Sequence, residues 1–266
     1  MRIVFATDGS RGAAVAEDFL LALPLSCADA VVVASAVNAR VTEAPAVVSR
    51  TCRRFAARSV PATTALRSGH PADAAEAIAF EQAADLVVIG SRGLGQWSGT
   101  LLGSVARTLA RDGIMPLLVV RARREAPRRV LLAIDGSSDA RAAIDLLSRL
   151  PLPSNATIAI ARVGPAGDPR VALVLERARA VLGERVKDID LVGEEQIGEA
   201  VVRRALAADA DLVVLGAQGQ TEGDLLHASV ADHVLTHAHC AVLIAKAPVR
   251  TCHVRAASRA VAAALT

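Results

Sequence analysis

Two short segments of this chain carry residues suited to holding an anion. One is Gly90-Ser91-Arg92-Gly93, followed by Gly103-Ser104, and the other is Thr7-Asp8-Gly9-Ser10. At Gly90 and Gly93, glycine permits close backbone approach and positive φ, so that amides can point at phosphate oxygens. Gly103-Ser104 opens a predicted helix, where unpaired amides and the helix dipole favour negative charge and the serine hydroxyl adds a donor. Asp8 is an acceptor suited to sugar hydroxyls, and Arg92 can neutralise a phosphate. Together these residue types suit the binding of a phosphorylated, sugar-bearing ligand.

The elements that must position them come as two copies of one unit. Asp8-Gly9-Ser10 returns as Asp135-Gly136-Ser137, 127 residues on, and Asp85-Leu86-Val87-Val88 returns as Asp211-Leu212-Val213-Val214, 126 residues on. A period near half the chain means duplicated domains rather than a solenoid. Each copy alternates short β-branched apolar runs with longer segments of helical period, the pattern of a parallel sheet covered by helices. In the first copy, strands are predicted near 2–7, 30–37, 61–67, 85–89 and 116–121, and helices near 11–23, 45–59, 72–83 and 103–112. In the second copy, strands are predicted near 129–134, 156–163, 186–191, 211–215 and 241–245. The expected fold is two tandem doubly wound, five-stranded α/β domains of Rossmann-like type, with strand order 3-2-1-4-5. That order makes the first and fourth strands neighbours at the switch point, where ligands of such sheets sit, and brings Asp8 and Gly90 to one crevice. Boundaries are expected at 1–123, 128–247 and a tail at 248–266, in which Arg255 and Arg259 stand one turn apart.

Composition narrows the ligand class. The chain has 266 residues, a formal net charge of +3 and 2% aromatic residues. So few rings cannot build a base-stacking platform, and Trp97 alone does not make one, so single-stranded nucleic acid is not expected as the ligand. The small net charge argues against nucleic-acid or membrane partners, and the arginines from 121 to 129 read as a solvated basic linker. Cys27, Cys52, Cys240 and Cys252 lack the spacing of a metal knuckle or redox pair, which fits free thiols in a reducing cytoplasm. The chain enters a strand-like run at once and has no apolar stretch of membrane-spanning length, so a soluble cytoplasmic protein is expected.

The combination of Gly-x2-Gly-x9-Gly-Ser after Asp85-Leu86-Val87-Val88-Ile89, the early Thr7-Asp8-Gly9-Ser10 and the closing Met115-Pro116-Leu117-Leu118-Val119-Val120 resembles the universal stress protein family in its tandem form. The resemblance covers about residues 1–247. It implies ATP as the ligand, with room for magnesium beside the phosphates, and a regulatory role in stress responses. By the same resemblance Asp8 holds ribose, Ala6, Thr7, Val37 and Ile89 line the adenine side, and Gly90, Gly93, Gly103, Ser104 and Val105 hold phosphates. Arg92 joins them on electrostatic grounds alone. Tandem members are expected to form an internal pseudo-dimer by joining their two fifth strands. A further homodimer and a protein partner are left open.

The second copy departs from the pattern. It keeps Asp135, Gly216 and Gly219, but only eight residues separate Gly219 from Ala228-Ser229, and Ala228 replaces the third glycine. Gln218 stands in place of Arg92, and Glu222 and Asp224 add charges that repel a triphosphate unless a metal intervenes. ATP is therefore expected in the first copy and weakly or not at all in the second. His227, His233, His237 and His239 cluster here. The i, i+4 pair His233 and His237 has no helical Glu between its members, so surface or interface histidines are expected over a metal site. No phosphate-loop, kinase or nucleophile-elbow motif appears, so efficient catalysis is not expected, while slow ATP hydrolysis is left open. The alternative to an ATP-binding regulator is a nucleotide-independent scaffold built on the internal pseudo-dimer.

Overall fold

The computed structural model describes residues 1–37, 43–93, 102–121, 125–164, 167–192, 196–218 and 228–247. The first half runs β1 (Arg2–Ala6), α1 (Arg11–Ala22), β2 (Ala30–Val37), α2 (Ala44–Ala56), β3 (Ala62–Ser68), α3 (Pro71–Glu81), β4 (Leu86–Gly90), α4 (Ser104–Asp112) and β5 (Leu117–Val120). The second half repeats it as β6 (Arg129–Ile134), α5 (Ser138–Arg149), β7 (Thr157–Val163), α6 (Pro169–Leu182), β8 (Val186–Val192), α7 (Ile197–Ala207), β9 (Leu212–Gly216), α8 (Ala228–His237) and β10 (Ala241–Ala245).

All the strands lie in one sheet of order β3-β2-β1-β4-β5-β10-β9-β6-β7-β8, so each half has the order 3-2-1-4-5. Pairing is parallel within each half and antiparallel where β5 meets β10, with Leu117, Leu118 and Val119 opposite Ile244, Leu243 and Val242. The expected joining of the two fifth strands is thus present within one chain. These short strands read as unbroken aliphatic runs because helices cover both faces, leaving few positions for polar residues. Ile3, Phe5, Val88 and Leu118 face one core with α1 and α5, which supply Phe19, Leu20, Ile144 and Leu147. Val4, Val87, Ile89 and Val119 face the other core with α3, α4 and α8.

The aspartates that open the repeated Asp-Leu-Val-Val runs are structural. Asp85 accepts from the Arg2 amide at 2.7 Å, and Asp211 accepts from the Arg128 and Arg129 amides at 2.8 and 2.9 Å. Each carboxylate therefore ties the start of the fourth strand of its half to the start of the first.

Among the described residues no helix is long and apolar enough to cross a membrane, and Cys27, Cys52 and Cys240 are free thiols. The expected tail, and with it Cys252, Arg255 and Arg259, lies outside the described residues, as do Trp97, Gly219, Glu222, Asp224 and His227.

Candidate functional site

β1 pairs with β4, so the turns leaving their carboxyl ends share one crevice. Asp8 lies two residues past β1, and its Oδ1 accepts the Ser10 amide at 3.0 Å. Ser10 caps α1 by accepting the Ala13 amide at 3.2 Å, and its hydroxyl donates to the Arg92 carbonyl at 3.2 Å. That last bond joins the first-strand turn directly to the glycine segment. Gly93 completes the convergence, since a Cβ there would stand 2.6 Å from Asp8 Oδ2.

The glycines serve close approach, as expected, while the positive φ that they permit is not used. Gly90 and Gly93 do not adopt positive φ; the glycines that do in the two site turns are Gly9, at 75°, and Gly136, at 84°. Gly90 is required because a Cβ would fall 2.4 Å from the carbonyl carbon and oxygen of Gly12. Gly12 is required in turn, because its own Cβ would lie 2.1 Å from the Arg92 carbonyl oxygen. The amino end of α1 and the β4 loop are packed backbone against backbone. Gly12 was not singled out from sequence, for its neighbour in space is eighty residues away in the chain.

The loop returns to the crevice at Gly103, whose amide donates to the Ser91 carbonyl at 2.9 Å. Gly103 is the N-cap of α4 and makes no side-chain cap bond. Ser104, exposed, and Val105, half-buried, then present first-turn amides that no helical carbonyl can take. The expected adenine-side residues divide by exposure. Val37 is 39% exposed, whereas Thr7 is buried and Ile89 belongs to the core, so Ile89 can offer a ligand only its main chain. Ala6 and Gly90 are half-buried, and Arg92 is exposed.

Of the arginine run expected to be solvated, Arg128 and Arg129 are exposed, whereas Arg121 is half-buried. Its Nε and Nη2 are buried and have no hydrogen-bond partner among the described residues. It directly follows β5, and the Ser91 amide donates to the last carbonyl of that strand, Val120, at 2.9 Å. Burial pulls the Arg121 guanidinium below its ordinary pKa; Cys240 opposes the shift only once it is ionised, and the like charge of Arg92 adds to it. Burial pushes Cys240 itself up to about 11.

The second half differs at the same place. Asp135 Oδ1 accepts the Ser137 amide at 3.1 Å, as Asp8 does for Ser10. The position of Gly12, however, is taken by Asp139. Its carboxylate accepts the Gln218 amide and the Ala247 amide, each at 2.9 Å, and so ties the loop after β9 to the residues after β10. A buried carboxylate thus stands where the first half has only backbone. His233 and His237 stack with ring centroids 4.2 Å apart, His237 Nδ1 lies 2.9 Å from the His233 carbonyl, and His239 is exposed. Among the described residues no group of His, Cys, Asp and Glu side chains is placed to hold a metal.

Comparison with known proteins gives the two halves the same kinship. The profile of the universal stress protein family matches residues 1–121 and again 127–246. A universal stress protein from Archaeoglobus fulgidus shares the fold with a TM-score of 0.72 at 17% identity, covering 92% of this chain and 98% of that one. A functionally unknown protein from Pseudomonas aeruginosa follows at 0.68 and 15% identity, covering 93% of this chain and 92% of that one. No curated protein matches the sequence.

Proposed function

The chain belongs to the universal stress protein family through both of its halves, and from that premise we infer that it is an ATP-binding regulator of the stress response whose nucleotide is held by the first half. The observation that carries this reading is the convergence of Asp8 and Gly93 at the β1–β4 switch point, fixed by the bond from Ser10 to the Arg92 carbonyl. In this reading Asp8 takes ribose hydroxyls. Ala6, Thr7, Val37 and Ile89 flank the base, with Val37 and Ile89 acting through main-chain groups. Gly90, Gly93, Gly103, Ser104 and Val105 supply amides and a hydroxyl to the phosphates, and Arg92 supplies charge. Magnesium would accompany the phosphates as their counter-ion.

The second half is assigned no nucleotide, because the Asp139 carboxylate occupies the turn beside Gly216 and Gln218 stands in the place of Arg92. The function is regulation rather than catalysis: occupancy biases the conformation of the glycine segment, and a protein partner reads the result. A scaffold role independent of nucleotide is favoured by one observation, the continuous sheet through β5 and β10, which makes the chain a pseudo-dimer without any ligand.

Denaturing freshly purified protein and identifying the released nucleotide separates the two readings. Wild type is expected to release ATP, and Asp8→Ala to release none. Wild-type protein that neither retains nor rebinds ATP leaves the scaffold.

A further inference from the structure

Arg121 is half-buried, and two of its three guanidinium nitrogens, Nε and Nη2, are buried with no hydrogen-bond partner among the described residues. A guanidinium in a protein stays protonated, and buried donors of a charged group without a partner are costly enough to call for an explanation. Its two unpaired atoms, Nε and Nη2, form one edge of the planar fork. That edge can take two oxygens of a single oxyanion side by side.

The position of Arg121 narrows which oxyanion. It leaves the sheet immediately after Val120, whose carbonyl holds the Ser91 amide, so it emerges beside the glycine segment. The field it receives from that segment is the like charge of Arg92, an arrangement that an anion of multiple charge would relieve. The second half shows the contrasting case. Val120 pairs with Gly90 as Ala245 pairs with Gly216, which makes Lys246 the counterpart of Arg121. Lys246 donates to the carbonyls of Leu109 and Gly113 at the carboxyl end of α4, a structural use of the charge. For the Nε–Nη2 edge of Arg121 there is no such use among the described residues.

We propose that Arg121 is a phosphate-binding residue of the first-half site, receiving two oxygens of the terminal phosphoryl group of a nucleoside polyphosphate on its Nε–Nη2 edge, with Arg92 contributing charge from the loop. The proposal rests on the nucleotide reading above and adds discrimination between nucleoside polyphosphates and monophosphates.

The test is calorimetric titration of the full chain, Arg121→Gln and Arg121→Lys with ATP, AMP and inorganic tripolyphosphate, together with melting temperatures without ligand. Arg121→Gln is expected to weaken ATP about 10- to 100-fold, the scale of hydrogen bonds to a charged group, while leaving AMP affinity unchanged. Without ligand it is expected to melt no lower than wild type, since buried donors without a partner have been removed from a charged group. Arg121→Lys keeps the charge without the fork and recovers part of the ATP affinity. Equal losses for ATP and AMP, undiminished ATP binding, or a ligand-free chain that melts several degrees lower would each overturn the role of Arg121. If wild type binds neither nucleotide, the nucleotide reading itself fails. Tripolyphosphate binding that Arg121→Gln abolishes would then still uphold the oxyanion site, and wild type indifferent to tripolyphosphate would overturn both.

Discussion

Gly12→Ala adds one methyl group where the first-half crevice has no room. The new Cβ would stand 2.1 Å from the Arg92 carbonyl oxygen, with the carbonyl carbon at 3.1 Å and the amide nitrogen at 3.2 Å. Contacts that short do not persist, so α1 and the β4 loop must separate by about 1 Å. Overpacking of this kind costs about 1–3 kcal/mol, and the better helix propensity of alanine offsets at most about 1 kcal/mol of it. The net loss of about 1–2 kcal/mol corresponds to a fall of about 2–8 °C in melting temperature for a chain of this size. The same displacement carries Arg92 and Gly93 away from Asp8, and misplacement on that scale is expected to cost about 10- to 100-fold in ATP affinity. Thermal unfolding followed by circular dichroism and titration with ATP read the two effects separately. Unchanged melting would refute the backbone contact; lowered melting with undiminished ATP affinity would refute the crevice as the nucleotide seat.

Two further outcomes follow from buried groups in the second half. Asp139→Ala strands the Gln218 and Ala247 amides and is expected to cost about 2–4 kcal/mol in urea unfolding, while ATP titration of the first half stays unchanged. Cys240 gives a pH signature. Below about pH 9 its thiol is protonated in both the folded and unfolded chain, and between pH 9 and about 11 the unfolded chain loses the proton first. Wild type therefore loses up to about 2.7 kcal/mol over that window, and Cys240→Ala escapes this loss. Stability curves of the two that run parallel from pH 8 to 11 would show that the thiol is not buried as described.

The repeat, the strand cores and the strand order were legible because parallel strands covered on both faces leave little but aliphatic residues, and because Asp85 and Asp211 recur for one structural reason. The helix starts predicted near 11, 45, 72 and 103 lie within a residue of those observed, and Ser10 and Ser137 cap the first helix of each half. Helix ends were harder to see. The helices predicted to reach 59 and 83 stop at Ala56 and Glu81. Both close with paired bonds, Val60 to Phe55 with Ser59 to Ala56, and Ala84 to Ala79 with Ala83 to Phe80. The left-handed residue such a closure needs is normally glycine, and here it is Ser59 or Ala83, so the usual stop signal is missing.

For the site, residue types placed Asp8, Gly93 and Gly103 in one crevice but did not show which backbone the glycines approach. Gly90 and Gly12 are required by one backbone lying on another, a condition set by tertiary packing that no local pattern carries. Arg121 was hidden for a similar reason: in sequence it opens a run of arginines, and only the sheet reveals that its Nε–Nη2 edge is buried. Asp139 was passed over because its two amide donors come from Gln218 and Ala247, far along the chain.

The central claim is that one half of a duplicated chain holds the nucleotide. Calorimetric titration of nucleotide-free wild-type protein with ATP tests it most directly. One site per chain, lost in Asp8→Ala and retained in Asp135→Ala, is the predicted result. Two equivalent sites, or a single site lost in Asp135→Ala instead, would contradict it.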